Sequence, residues 1–188
     1  MTTETIISIC LGIGLAASVG FRVFLPLFAL SLASYYNVWN LNENWEWIGS
    51  MTALIILGVA TLVEIFAYYI PYVDNLLDTI AVPLAAVAGT AVMVSTVADL
   101  SPEVTWALAI IAGGGTAAAI SGTSGATRMA STATTGGLAN PVVSTVETGT
   151  SIVLSVLSIL VPIVAIFVVL ILCFVIFRLY KKFKPRPS

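Results

Sequence analysis

Three stretches of this chain, Met51–Ile70, Thr79–Val97 and Ile159–Tyr180, each run close to 20 residues with at most one charged side chain. That is the length a helix needs to cross a hydrocarbon layer of ~30 Å. In such a layer backbone N–H and C=O groups find no water. The chain must therefore pair them within itself, and uninterrupted apolar runs do so as helices. The rest of the sequence agrees: 59% of the 188 residues are hydrophobic and 9% are charged, with a mean hydropathy of +1.08, whereas roughly a quarter of a soluble domain is charged. An integral membrane protein is the expected class, with the lipid bilayer as its first partner. The net charge of -2 points to no nucleic-acid partner.

The order of breaks along the chain predicts an all-α polytopic bundle forming one membrane domain over residues 1–188. The region 5–36 would be about 48 Å long as one straight helix, too long for a bilayer at ordinary tilt. Gly20, Arg22 and Pro26 mark where it breaks, as a kinked or a re-entrant helix. A tryptophan-rich connection at Trp39, Trp45 and Trp47 has the composition of an interfacial belt. Tyr68-Tyr-Ile-Pro71 closes the next helix, and Asp74 is placed to cap the one after it. Ala98-Asp-Leu-Ser-Pro-Glu103 is a boundary, and Asn140-Pro141 is read as a turn in which Asn140 or Ser144 caps. The 39 residues of Val142–Tyr180 must form two segments, jointed at Pro162. About six spanning segments follow from this count.

Met1-Thr-Thr-Glu-Thr lacks the positive charge that opens a signal peptide, so the first apolar segment is expected to stay in the mature protein. Five of the seven basic residues, Arg178, Lys181, Lys182, Lys184 and Arg186, cluster at the other end. Residues 181–188 thus form a basic tail, which the positive-inside rule puts in the cytoplasm.

Two halves, about 5–97 and about 103–180, share an order of landmarks. Ser18-Val-Gly-Phe-Arg22 has a counterpart in Ser124-Gly-Ala-Thr-Arg128. Val63-Glu64 followed by Ile80-Ala-Val-Pro83 has one in Val146-Glu147 followed by Ile159-Leu-Val-Pro162. Repeated halves with broken helices and mid-depth polar residues are a transporter pattern. On this correspondence the stretch from Ser121 to Gly137, rich in glycine, serine and threonine, is either a loop in water or a second broken or re-entrant helix around Gly125–Gly137, inside the membrane.

Arg22, Glu64, Arg128 and Glu147 stand within or beside apolar segments. Each costs roughly 2.5–3.5 kcal/mol at a bilayer centre when unpaired. Arginine is therefore expected to pair with glutamate in the bundle interior, either as an architectural lock or as a ligand site holding an anion or carrying a proton. Asp74 and Asp78, four residues apart, share a helix face. They would cap the helix or, with Glu64, hold a cation; the metal is left unknown. Cys10 and Cys173 lack metal-ligand spacing, no histidine could join them, and both are read as small buried apolar residues. Gly113-Gly-Gly115 lacks the lysine of a phosphate-binding loop. No nucleophile, reactive cysteine setting or histidine supports an enzyme, and no cofactor is expected.

At these residues the chain resembles an uncharacterised bacterial membrane family, the domain of unknown function numbered 4126. The matching elements are Gly20-Phe-Arg-Val-Phe-Leu-Pro-Leu27, Val63-Glu64, Ile70-Pro-Tyr-Val-Asp-Asn-Leu-Leu-Asp78, the small-residue helix Ala117–Arg128, and Glu147. The chain departs from the pattern at Tyr68 and Tyr69, where the family often has a charged pair. It departs again upstream of Arg128, where a lysine or histidine is common in the family. The resemblance implies the bundle fold and a bacterial inner membrane, and says little about mechanism. The function expected from the residues is a small transporter or channel-like carrier, with Arg22, Arg128, Glu64 and Glu147 lining a central site and Asp74 and Asp78 at its mouth. A homodimer or other homo-oligomer is expected. The rival is an accessory membrane subunit whose charges only fix packing.

Overall fold

The computed structural model describes residues 2–70 and 73–183, and every described element is helical. In chain order these are α1 (Thr3–Val19), α2 (Phe24–Tyr35), a 3-10 turn (Glu43–Gly49), α3 (Met51–Ala67), α4 (Val73–Thr96), α5 (Pro102–Leu108), a π-helical segment (Ala109–Gly114), α6 (Gly115–Thr135), α7 (Asn140–Leu160) and α8 (Pro162–Phe183). Residues 184–188, the end of the basic tail, and Tyr72 lie outside the described residues.

Among the described residues three helices are long and apolar enough to cross a membrane: Val73–Thr96, the joined α5 to α6 rod Pro102–Thr135, and Asn140–Leu160. A fourth arises if the 3-10 turn and α3, bent by 62° against each other, count as one span. The sequence analysis expects about six, and α8 is counted among the shorter apolar helices over its described stretch Pro162–Arg178. Helix α1, with 17 residues, and α2, with 12, would each reach only about 18–26 Å at 1.5 Å per residue. The expected first break is present, with α1 ending at Val19 and α2 beginning at Phe24. Pro26 sits in the first turn of α2, where its missing N–H has no helical partner to lose. The joint at Pro162 is also where it was expected.

The second break is not. Ser121–Thr135 is continuous α-helix, and the chain turns only at Gly136 and Gly137, whose φ values of +64° and +87° end α6 in the left-handed region. That backbone is nearly free of cost for glycine alone. The irregularity in this half lies upstream, in the π-helical segment, where the chain meets α4. A methyl group on Gly89 would sit 2.8 Å from the Gly113 carbonyl oxygen, and one on Gly113 would sit 2.6 Å from that of Gly89. Two backbones in direct contact hold the π-helical segment against α4, the close approach that small residues allow in membrane bundles.

Helix α1 is the hub, packing on α4, α7 and α8, while α2 packs on α3 and α7. Leu11, Leu15, Val19, Leu30, Ala88 and Val92 form the apolar core between them. The belt residues act as ties as well as anchors. Trp39 Nε1 donates to the Ile159 carbonyl at 3.0 Å, near the end of α7. Asn42 Nδ2 donates to the Val94 and Val97 carbonyls at 2.6 and 2.9 Å, closing α4. Cys10 is half-buried and Cys173 exposed on the apolar surface of α8, so the expectation that both are buried fails. Asp74 lies inside the first turn of α4 rather than ahead of it, and Asn140 opens α7 instead of capping it.

Candidate functional site

The break between α1 and α2 places Arg22 where no helix fixes its backbone, and its side chain turns inward until 1% of the residue is exposed. Its guanidinium is held from several sides. Nε donates to Thr148 Oγ1 at 3.0 Å, NH2 to the Ser144 carbonyl at 3.0 Å, and NH1 to the Phe21 carbonyl at 3.1 Å and to Glu147 Oε2 at 3.2 Å. Arg128, on α6 and equally buried, reaches the same carboxylate. Its NH2 pairs with Glu147 Oε2 and its Nε lies 3.4 Å from Oε1. Ser124, one turn earlier on α6, donates to Oε1. Glu147 is thus a shared anion between two guanidiniums drawn from distant parts of the chain.

Tyr68 completes the pair. Both guanidinium carbons lie 4.2 Å from the centroid of its ring, a distance at which the ring quadrupole attracts a cation. The sequence analysis gives Tyr68 no place in the site, only the end of a helix. Its position one turn after Glu64, on the same helix face, was the available signal.

The three remaining candidates divide into different tasks. Glu64 does not face an arginine as expected. Its Oε1 accepts the Val23 N–H at 2.6 Å and its Oε2 accepts the Phe24 N–H at 3.0 Å. It therefore caps the free N-terminus of α2, where the helix dipole favours negative charge. Asp78, with 19% of its side chain exposed, lies 3.7 Å from Arg128 Nε. Asp74 accepts from Asn140 Nδ2 at 2.9 Å and from its own neighbour's N–H at 2.8 Å. The two aspartates thus face different partners, and Glu64 is committed elsewhere. No group of three metal-ligating side chains occurs among the described residues.

Two guanidiniums meet four carboxyls in this region, so it carries more potential negative charge than positive. Three of its buried polar atoms, Arg128 NH1, Ser131 Oγ and Asn140 Oδ1, have no hydrogen-bond partner among the described residues. Arg128, Ser131 and Thr132 share a face of α6, and Asn140 Nδ2 reaches Thr132 Oγ1 at 3.2 Å. A buried polar group without a partner costs about 1–3 kcal/mol.

Two apolar clefts end on the region from the lipid side. One, of ≈ 470 Å³ between α3 and α4, is floored by Glu64 and Tyr68. The other, of ≈ 330 Å³ among α6, α7 and α8, ends at Ser124 and Glu147.

A family model described as Domain of unknown function (DUF4126) matches residues 9–182. The chain belongs to this family. The match takes in all six candidate residues and the whole of the charged region. No curated protein and no solved structure matches the chain.

Proposed function

We propose that the protein is a small membrane carrier whose central site, formed by Arg22, Arg128 and Glu147 with Tyr68 between, binds an ion or small polar solute, and that it carries out no chemical step. The observation that supports this reading best is Arg128 NH1, a buried cationic donor that has no partner among the described residues, as Ser131 Oγ and Asn140 Oδ1 have none. A lock that served packing alone would be expected to close every such bond, since each open one destabilises the fold it is meant to hold. Asp78, the most exposed carboxyl of the group, forms the mouth. The two clefts, one at Glu64 and one at Glu147, support a duplicated architecture in which α1 and α2 form a re-entrant pair. The basic tail supports a cytoplasmic C-terminus and an inner-membrane location, and the protein assembles as a homodimer.

The reading is tested with the purified chain in liposomes on a solid-supported membrane, jumping sodium, chloride, phosphate or a mixture of amino acids at constant pH. A transient current for at least one probe is expected. Arg128→Gln should abolish it while the protein still elutes as a single species. If no probe gives a current and Arg128→Gln instead destroys assembly, the charges serve packing, and the accessory-subunit reading replaces this one.

A further inference from the structure

Of the consecutive glycines Gly113, Gly114 and Gly115, two are explained by packing and one is not. A methyl group on Gly113 would sit 2.6 Å from the Gly89 carbonyl oxygen, and one on Gly114 would sit 2.9 Å from that of Ala86, so α4 passes too close for a larger residue. A methyl group on Gly115 would meet nothing within 4 Å. Its backbone is ordinary right-handed helix, with φ -62° and ψ -44°, where glycine costs about 1 kcal/mol relative to alanine. Neither contact nor backbone geometry within the chain calls for glycine there.

The space over Gly115 belongs to a cleft of ≈ 470 Å³ between α4 and the α5 to α6 rod. Its floor is made of small residues, Ala86 and Ala91 on α4 with Gly114, Gly115 and Ala118 on the rod, and Trp45 and Trp106 stand at one end. The same two indoles line a second cleft, of ≈ 510 Å³, together with Asn42, Asn44, Asp99 and Thr105. The clefts meet at the tryptophans, the first apolar and the second polar. From Trp106 to Ala118 the rod advances about 18 Å at 1.5 Å per residue, close to the ~15 Å depth of one leaflet of the hydrocarbon layer.

We infer that the paired clefts bind one phospholipid with an amine-bearing headgroup, its acyl chain lying over Gly115 and its ammonium group at Asp99. Charge selects the headgroup. Asp99 is exposed, and among the described residues no lysine or arginine lines either cleft. Thr2 Oγ1 donates to Asp99 Oδ2 at 3.3 Å, and Asn42 joins the 3-10 turn to the end of α4. Glu4, Glu43, Glu46 and Glu103 therefore gather at the same end of the bundle as Asp99. Helix α8 starts at this end, where Trp39 holds the end of α7, and carries Arg178 and Lys181 to the other. A phosphate headgroup without an amine would meet only carboxylates here. An ammonium group meets Asp99 and the indoles of Trp45, Trp47 and Trp106, whose faces attract cations. Asn44 and Thr105 supply an amide and a hydroxyl as donors to the phosphate beside it. Tryptophans at headgroup level set the depth. The site shares no residue with the Arg22, Arg128 and Glu147 cluster, and so does not rest on the carrier reading.

The test uses the purified chain in nanodiscs of phosphatidylglycerol, doped with a small fraction of brominated phosphatidylethanolamine or of brominated phosphatidylglycerol. Bromine on the acyl chain quenches nearby indoles, and three of the four tryptophans line the clefts. Brominated phosphatidylethanolamine is expected to quench about threefold more per mole, the factor that an exposed cation–aromatic contact supplies. Gly115→Leu adds a side chain where a Cβ meets no protein atom within 4 Å, and should equalise the two lipids with an unchanged elution profile. Gly122→Leu, on the same helix but outside the clefts, should keep the preference, and Asp99→Asn should lower it. Ala118→Leu closes the deeper end of the groove and serves if Gly115→Leu fails to fold. Equal quenching by the two lipids in wild type overturns the site, as does a preference that survives in folded Gly115→Leu. A shift of Gly115→Leu to a smaller assembly with its quenching unchanged makes the groove a contact between two copies of the chain, and overturns the lipid site as well.

Discussion

Replacing Glu147 by glutamine leaves two buried guanidiniums 4.2 Å from the same tyrosine ring with no carboxylate between them. The expected cost is about 3–5 kcal/mol, the range for removing one partner of a buried ion pair. The amide keeps the shape and one acceptor of the carboxylate, so the loss reports charge rather than packing. Thermal unfolding followed by fluorescence-detected size exclusion in a mild detergent measures it. The double variant with Arg128→Gln should recover a substantial part of the loss, because it removes one of the two cations that shared Glu147 and couples to the first change. An unchanged midpoint for Glu147→Gln alone would mean that the guanidiniums find anions elsewhere.

Glu64→Ala is the second large effect, through a different cause. It exposes the Val23 and Phe24 N–H groups, now bonded at 2.6 and 3.0 Å, at a helix start with no other side-chain cap. Hydrogen bonds to a charged group contribute about 1.5–3 kcal/mol each, so the pair together places this variant near the first in severity. The damage should be local. Amide hydrogen exchange is expected to rise over the first turn of α2, while α7 keeps its protection. Glu64→Gln, which can still accept from one N–H, should lie between the variant and wild type. Uniform loss of protection across the bundle would show that Glu64 holds the whole charged region and not the end of α2.

What the residues revealed in advance follows from the forces they exert alone. Gly20 and Arg22 mark a helix break because a charge within an apolar run and a residue without a side chain each weaken helix at that point. Pro162 marks another because it cannot donate. The cost of burying Arg22, Arg128 and Glu147 unpaired made their meeting predictable, although not the sharing of one carboxylate by two arginines. Other features depended on partners distant in sequence. The glycines, serines and threonines of Ser121–Thr135 favour loops by their own preferences. They are helical here because the π-helical segment ahead of them seats Gly113 against Gly89 and carries α6 along the bundle. Glu64 looked like a partner for arginine because its target, a pair of N–H groups 40 residues away at the start of α2, leaves no mark on its own neighbourhood. Asp74 and Asp78 share a face as their spacing required, yet Asn140 and Arg128 draw them to different tasks.

The proposed carrier requires Arg128 and its helix to face a buried polar interior within the bilayer. Single cysteines at each position from Ser121 to Thr135, in a chain lacking Cys10 and Cys173, test it with a membrane-impermeant thiol reagent on intact cells and inverted vesicles. A helical pattern is expected, with the Ser121, Ser124 and Arg128 positions protected from both sides. Uniform labelling of all fifteen positions from one side would place the segment in water and contradict the site.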